Sequence, residues 1–126
     1  MSYKNILLID DDEDDQEIFV TALQKAKLAV TCTALISAHE ALDMLTAKKV
    51  EPDLIFLDLN MPVMNGQQFL KELKRNEIVK NIPVIVLSTS SQPATIEQVK
   101  ALGAKDFFSK PNKFEDLIFM LNTILG

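Results

Sequence analysis

Three short runs of apolar residues, each stopped abruptly by polar or turn-forming residues, constrain the fold of this chain more than any other feature. They span residues 6–9, 54–57 and 84–87. An uninterrupted apolar run of this length is typical of a strand that is covered on both faces. Such strands occur in parallel sheets that carry helices on either side, so we expect an α/β fold.

Two further segments, 30–35 and 106–109, mix apolar with polar residues and are therefore expected at the sheet edges. Apolar residues recur at helical spacing after each of the five strands. This strict alternation predicts a flavodoxin-like three-layer sandwich, in which a five-stranded parallel sheet of order 2-1-3-4-5 is flanked by five helices. Its ligand crevice would lie beside strands 1 and 3.

Length and charge limit the classes of partner. A chain of 126 residues predicts one domain, 1–126, and the last predicted helix runs almost to Gly126, so we expect no output domain after it. The net charge of −5 argues against direct binding of nucleic acid. No apolar run is long enough to span a bilayer, and the single cysteine, Cys32, is compatible with a reducing compartment. We therefore expect a cytoplasmic protein without a membrane partner.

Polar side chains follow four of the predicted strands at the point where each strand ends. In strand order these residues are Asp10 and Asp11, then Asp58 with Asn60 just beyond, then Ser88 and Thr89, then Lys110. Because the carboxyl ends of parallel strands share one edge of the sheet, these groups are expected to meet in one crevice.

The chemistry of this set indicates phosphoryl transfer. Three neighbouring carboxylates repel one another, and a divalent cation such as Mg²⁺ removes that cost. An aspartate can act as a nucleophile and form an aspartyl-phosphate, which makes Asp58 the candidate acceptor. Lys110 supplies a positive charge and Ser88 a hydroxyl for phosphoryl oxygens. The chain has no glycine-rich phosphate loop, which argues against a nucleotide as the donor.

Over essentially its whole length the chain resembles the receiver domain of two-component response regulators. The matching segments are 9–11, 57–62 with Gly66, 87–89, and 103–111 with Phe107, Lys110 and Pro111. The resemblance implies that Asp58 accepts a phosphoryl group from a phosphohistidine on a sensor histidine kinase or a histidine phosphotransfer protein. It also implies an Mg²⁺ site formed by Asp10, Asp11, Asp58 and the backbone carbonyl of Asn60.

The resemblance further implies a switch. Ser88 and Phe107 would be the switch pair, Lys110 the phosphate contact, and the Lys110–Pro111 bond would be cis. Phosphorylation would then alter the surface formed by helix 4, strand 5 and helix 5. Two residues depart from the frequent pattern: Ser88 replaces a threonine and keeps the hydroxyl, and Phe107 replaces a tyrosine and keeps the ring.

The remaining residues receive less specific interpretations. Phe119 and Met120 broaden the apolar stripe of the last helix, which predicts a surface for an output partner protein or for a homodimer. His39 is expected at the surface without a role, and Cys32 in the core. Residues 12–15 read as a solvated helix start.

Three classes of function fit the strand-end residues. The leading one is a stand-alone phosphoacceptor switch, not an enzyme, that loses its phosphate slowly; Asn60 and Ser90 would tune the phosphate lifetime. The second is a receiver-like adaptor that binds a partner without phosphorylation, which the intact Asp11, Asp58 and Lys110 disfavour. The third is a phosphatase of the haloacid dehalogenase type, which needs a second aspartate where this chain has Asn60.

Overall fold

The secondary structure alternates strictly between strands and helices, as predicted. The computed structural model describes residues 3–89 and 92–126. The strands are β1 Asn5–Ile9, β2 Thr31–Leu35, β3 Leu54–Asp58, β4 Val84–Ser88 and β5 Asp106–Ser109, and the helices are α1 Glu13–Lys25, α2 Ala38–Thr46, α3 Gly66–Arg75, α4 Pro93–Ala101 and α5 Phe114–Leu125.

The five strands form one parallel sheet of order β2-β1-β3-β4-β5. This is the predicted order, and the flavodoxin-like arrangement is confirmed. All residues of β3 and β4 are buried, whereas β2 and β5 have only partly buried or exposed residues. The apolar character of a strand therefore predicted its central position correctly, because only central strands are covered by helices on both faces.

Alternate residues of each central strand point into two separate hydrophobic clusters. One cluster packs Leu7 and Ile55 against α2, α3 and α4. The other packs Leu8 and Phe56 against α1 and α5, where the Phe56 ring meets Phe19 edge-on with the ring centroids 5.1 Å apart. The two-residue period of a strand thus divides one apolar run between two helical layers.

Side chains at the start of the helices hold the loops that surround the carboxyl edge of the sheet. The Asp12 carboxylate accepts hydrogen bonds from the backbone N–H groups of Asp14 and Asp15, at 2.9 and 3.2 Å. Ser37 accepts one from Glu40 N–H at 3.2 Å. Asn65 and Gln68 form a reciprocal capping box at α3.

Outside the sheet ends, four interpretations can be compared with the structure. His39 lies at the surface and its Nδ1 is 3.5 Å from Asp43, and Cys32 packs half-buried against the cluster under α1 and α5. Phe119 is 73% exposed, but Met120 is buried, so of these two residues Phe119 alone extends the apolar stripe of α5 to the surface. No helix in the described ranges is long and apolar enough to cross a membrane.

Candidate functional site

The carboxyl ends of four strands deliver the predicted side chains to one site. Asp10 directly follows β1, Asp58 and Ser88 are the last residues of β3 and β4, and Lys110 directly follows β5. The Lys110 N–H donates to the Ser88 carbonyl at 2.9 Å and the Asp10 N–H to the Leu35 carbonyl at 3.1 Å. Backbone pairing therefore continues past the strand ends and fixes where these side chains start.

Three carboxylates lie close enough together to share a cation. One oxygen from each of Asp10, Asp11 and Asp58 lies within 4.8 Å of the others. Asp10 and Asp58 are buried, at 4% and 6% exposure, while Asp11 faces solvent. A set of hard oxygen ligands that is open on one side suits a divalent cation that keeps some of its water. These residues therefore fit a hard divalent cation.

Lys110 is the positive charge at the centre of the site. Its Nζ lies 3.0 Å from Asp10 Oδ2, 3.1 Å from Asp15 Oδ2 and 3.5 Å from Asp58 Oδ1. Burial alone would lower the pKa of this amine, but the surrounding carboxylates outweigh that effect and hold the pKa above its usual value. Lys110 therefore stays charged over the physiological range.

The two buried carboxylates have raised pKa values. Burial raises the pKa of Asp58 to about 6. The Asp10 charge also raises this pKa, while the Lys110 charge and the backbone N–H of Asn60 lower it. Burial likewise raises the pKa of Asp10, against the hydrogen bonds from Asp12 N–H and Lys110. Without a cation, the ionised forms of both carboxylates are thus less favourable in the folded protein than in an unfolded chain.

The loop after β3 packs tightly against Asp58. Gly66 N–H donates to the Leu59 carbonyl at 3.0 Å, and a Cβ added to Gly66 would lie 2.7 Å from the Asp58 carbonyl oxygen. Glycine is therefore required here for a close approach of α3 to the end of β3. In the same loop Val63 has a φ of +66° and is 98% exposed, an unusual backbone conformation for a β-branched residue.

The predicted switch residues lie on adjacent strands. Ser88 is fully buried at the end of β4, and Phe107 on β5 is half-buried beside Val86, its partner in the strand register. Thr89 is exposed. Ser90, one of the two residues predicted to tune the phosphate lifetime, lies outside the described residues.

The predicted cis Lys110–Pro111 bond is wrong for this structure. The described residues contain no cis peptide bond. Trans is the intrinsically preferred isomer by about 0.5–1 kcal/mol even before proline. The Lys110 amine reaches the carboxylates from a trans peptide.

Asp15 belongs to the site, although the sequence pattern predicts only a solvated helix start there. It is one of the two carboxylates in hydrogen-bond contact with the Lys110 amine, and the Gln16 side chain donates to the Asp10 carbonyl at 2.8 Å. The sequence did carry a signal for Asp15. It lies four and seven residues before Phe19 and Ala22, which are both buried, so all three lie on the face of α1 that meets the sheet.

A cavity of about 320 Å³ opens beside the site between α1 and α5. Asp58, Asp15 and Lys110 form its polar side, and Phe19 and Leu117 contribute to its apolar side. The buried Asp58 carboxylate can therefore be reached from solvent through this cavity.

Comparison with known proteins identifies relatives among the response regulators. Residues 6–122 match the family model of the response regulator receiver domain. The two-component response regulator ORR13 of Oryza sativa subsp. japonica is 33% identical over 98% of this chain and 100% of its own length.

Two solved structures share both the fold and the sequence. The phosphorylated cyanobacterial phytochrome response regulator RcpA is 30% identical, with a TM-score of 0.87 over 98% of this chain and 91% of its own. The Mn²⁺-bound response regulator Rcp1 is 29% identical, with a TM-score of 0.85 over 96% and 91% of the two chains. Because the family match spans nearly the whole sheet and its carboxyl edge, this chain belongs to the family of response regulator receiver domains.

Proposed function

We propose that the chain accepts a phosphoryl group on Asp58 from a phosphohistidine of a histidine kinase or histidine phosphotransfer protein. Receiver domains act as phosphoacceptor switches that interact with such donors. The observation that carries the assignment to Asp58 is its position, 3.5 Å from Lys110 and beside Asp10 and Asp11 in one cluster. Asp58 also lines the cavity that opens to solvent.

Each residue would have a definite role in the transfer. A carboxylate oxygen of Asp58 forms a bond to phosphorus while the bond from phosphorus to the histidine nitrogen breaks, and that nitrogen keeps the electron pair. With a pKa of about 6, Asp58 is mainly ionised at neutral pH, which the attack requires. The Lys110 ammonium would contact a phosphoryl oxygen and stabilise its charge.

Mg²⁺ is the proposed cofactor, held by Asp10, Asp11, Asp58 and the Asn60 carbonyl. The three carboxylates fit a hard divalent cation, and the related Rcp1 binds Mn²⁺. When bound, the cation would neutralise charge on the transferred phosphoryl group. The ligand role of Asn60 rests on the family resemblance alone.

We further propose that Ser88 and Phe107 transmit the modification. The Ser88 hydroxyl would move toward the phosphoryl group, and the half-buried Phe107 ring would rotate inward, which changes the surface of α4, β5 and α5. The exposed Phe119 on α5 is a candidate contact for an output partner or a second copy of the chain. Cytoplasmic location and stand-alone action stay predictions.

Intact-mass measurement after incubation with a small acyl phosphate and Mg²⁺ tests the acceptor role. We expect one added phosphoryl group on wild type and none on Asp58→Asn, while Asp14→Asn, which removes an exposed carboxylate nearby, retains the modification. Absence of modification in every condition would favour the adaptor. Multiple turnover of phosphomonoesters would favour the phosphatase.

A further inference from the structure

Asp15, on the first turn of α1, contacts the amine of Lys110 from outside the metal-binding cluster. The distance from Lys110 Nζ to Asp15 Oδ2 is 3.1 Å, almost the same as the 3.0 Å to Asp10 Oδ2. The side chain of Asp15 is 44% exposed, whereas that of Asp10 is 5% exposed. The Lys110 amine therefore donates to the buried Asp10 carboxylate on one side and to the partly exposed Asp15 carboxylate at the rim of the cavity on the other.

The contact between Asp15 and Lys110 affects the direction in which the remaining N–H group of the Lys110 ammonium points. A lysine ammonium has three N–H donors. Two are engaged by Asp10 and Asp15, and the remaining carboxylate at the amine is Asp58, with Oδ1 at 3.5 Å. This distance is longer than an ordinary N–H···O bond, for which about 3.0 Å is usual. A phosphoryl oxygen added at Asp58 would therefore have a donor directed at it.

Asp15 differs from the other two carboxylates in what metal binding does to it. Asp10 and Asp58 are both members of the cluster that fits a divalent cation, and Asp15 is not. A cation at that cluster would compete with Lys110 for oxygens of Asp10 and Asp58, but it would leave the Asp15 carboxylate available. Asp15 is then the partner on which the placement of the amine depends.

The backbone of Asp15 is itself well anchored. Its N–H donates to the Asp12 carboxylate at 3.2 Å, which fixes the first turn of α1. Lys110 starts from a backbone that is bonded to the end of β4 through Ser88. The pair therefore joins two fixed elements, and its geometry does not depend on a mobile loop.

We propose that Asp15 is a positioning residue that holds the Lys110 amine in place for the phosphoryl group on Asp58. This inference rests on the proposed function and deepens it. Asp15 does not touch the phosphoryl group; it acts through Lys110 by occupying one N–H and restricting the side chain. Without it the amine turns toward solvent or toward the metal ligands, and fewer molecules have a donor aimed at the transferred group.

Phosphorylation kinetics with acetyl phosphate and Mg²⁺ test the proposal on the full chain. For Asp15→Asn we expect the maximal rate of Asp58 phosphorylation to fall about fivefold, the effect of a partly exposed charged pair worth about 1 kcal/mol. The acetyl phosphate concentration at half-maximal rate should change no more than in Asp14→Asn. The Asp14→Asn control removes an equal charge from the same helical turn. It therefore measures how loss of one negative charge changes the reaction with anionic acetyl phosphate when the contact with Lys110 is kept. Asp15→Glu should recover part of the lost rate.

A double substitution separates action through Lys110 from a general effect on the fold. In the Lys110→Ala background, adding Asp15→Asn should cause no further loss of rate. An equal loss in both backgrounds, or equal losses for Asp15→Asn and Asp14→Asn, would overturn the proposal.

A second readout stays informative if wild type is not phosphorylated, which would refute the proposed function itself. The ¹⁵N-lysine ammonium signal of Lys110 should be protected from rapid proton exchange in wild type and in Asp14→Asn, and should lose that protection in Asp15→Asn. Protection that is unchanged in Asp15→Asn, or absent from wild type, would refute the positioning role.

Discussion

The raised pKa of Asp58 makes a prediction that can be tested without phosphorylation: Asp58→Asn should stabilise the metal-free protein. Asp58 is 6% exposed and burial raises its pKa to about 6. The usual pKa of an aspartate in an unfolded chain is about 3.9. The folded state therefore disfavours the ionised carboxylate, and the uncharged asparagine removes that cost while keeping nearly the same shape.

The magnitude follows from the difference between the folded and unfolded pKa values. Two pKa units correspond to about 3 kcal/mol, because each unit is worth about 1.36 kcal/mol. Between about pH 4 and pH 6 the folded state binds more protons than the unfolded state, so the free energy of unfolding decreases as the pH rises. We expect Asp58→Asn to gain about 1–3 kcal/mol at about pH 7.5 and about 1 kcal/mol or less at about pH 4.5.

Urea unfolding followed by far-ultraviolet circular dichroism, in EDTA at both pH values, measures these free energies. Asp14→Asn is the matched control, since it removes an exposed carboxylate and should leave the pH dependence unchanged. Millimolar Mg²⁺ should raise the stability of wild type more than that of Asp58→Asn, because ligand binding to the folded state is stabilising. A gain in Asp58→Asn that is equal at both pH values, or no gain at all, would refute the electrostatic reasoning.

Two further predictions concern the loop that supports Asp58. Gly66→Ala should lower the free energy of unfolding by about 1–3 kcal/mol, measured by chemical denaturation, and should slow phosphorylation of Asp58. The reason is that the alanine Cβ would lie 2.7 Å from backbone atoms of Asp58 and Leu59. A variant as stable as wild type would refute the close contact. Val63→Asn should raise the melting temperature, with a gain of about 1 kcal/mol, because asparagine tolerates the positive φ of +66° better than a β-branched residue. An unchanged or lower melting temperature would show that Val63 is not strained.

Much of the site could be predicted because parallel sheets place strand ends at one edge. The predictions for Asp10, Asp11, Asp58, Ser88 and Lys110 needed only the end of each predicted strand and the strand order. The structure brings the three carboxylates and Lys110 together as that reasoning requires. The roles assigned to these residues in phosphoryl transfer stay predictions.

The structure corrects the predictions for one side chain on α1 and one on α5. Asp15 looked like one more acidic residue at a helix start, but its carboxylate meets Lys110, which lies 95 positions away. Met120 was expected to extend the apolar stripe of α5 to the surface, but it is buried together with Leu117 and Leu121, so the core-facing side of α5 is broader than predicted. Local spacing indicates which face of a helix is apolar, but it does not indicate which distant group meets a side chain at the edge of that face.

Local sequence by itself determined the alternation of strands and helices, the central position of β1, β3 and β4, and the residues at their ends. Apolar runs and two-residue or 3.6-residue periods reflect burial directly, so they can be read along the chain. Tertiary structure alone decided which carboxylates contact the Lys110 amine and how strongly the pKa of Asp58 is raised. Lys110 meets Asp10, Asp15 and Asp58 at distances between 3.0 and 3.5 Å, and burial raises the pKa of Asp58 to about 6. Electrostatic energies depend on distance and on solvent exposure, and both arise only when the strands and helices pack together.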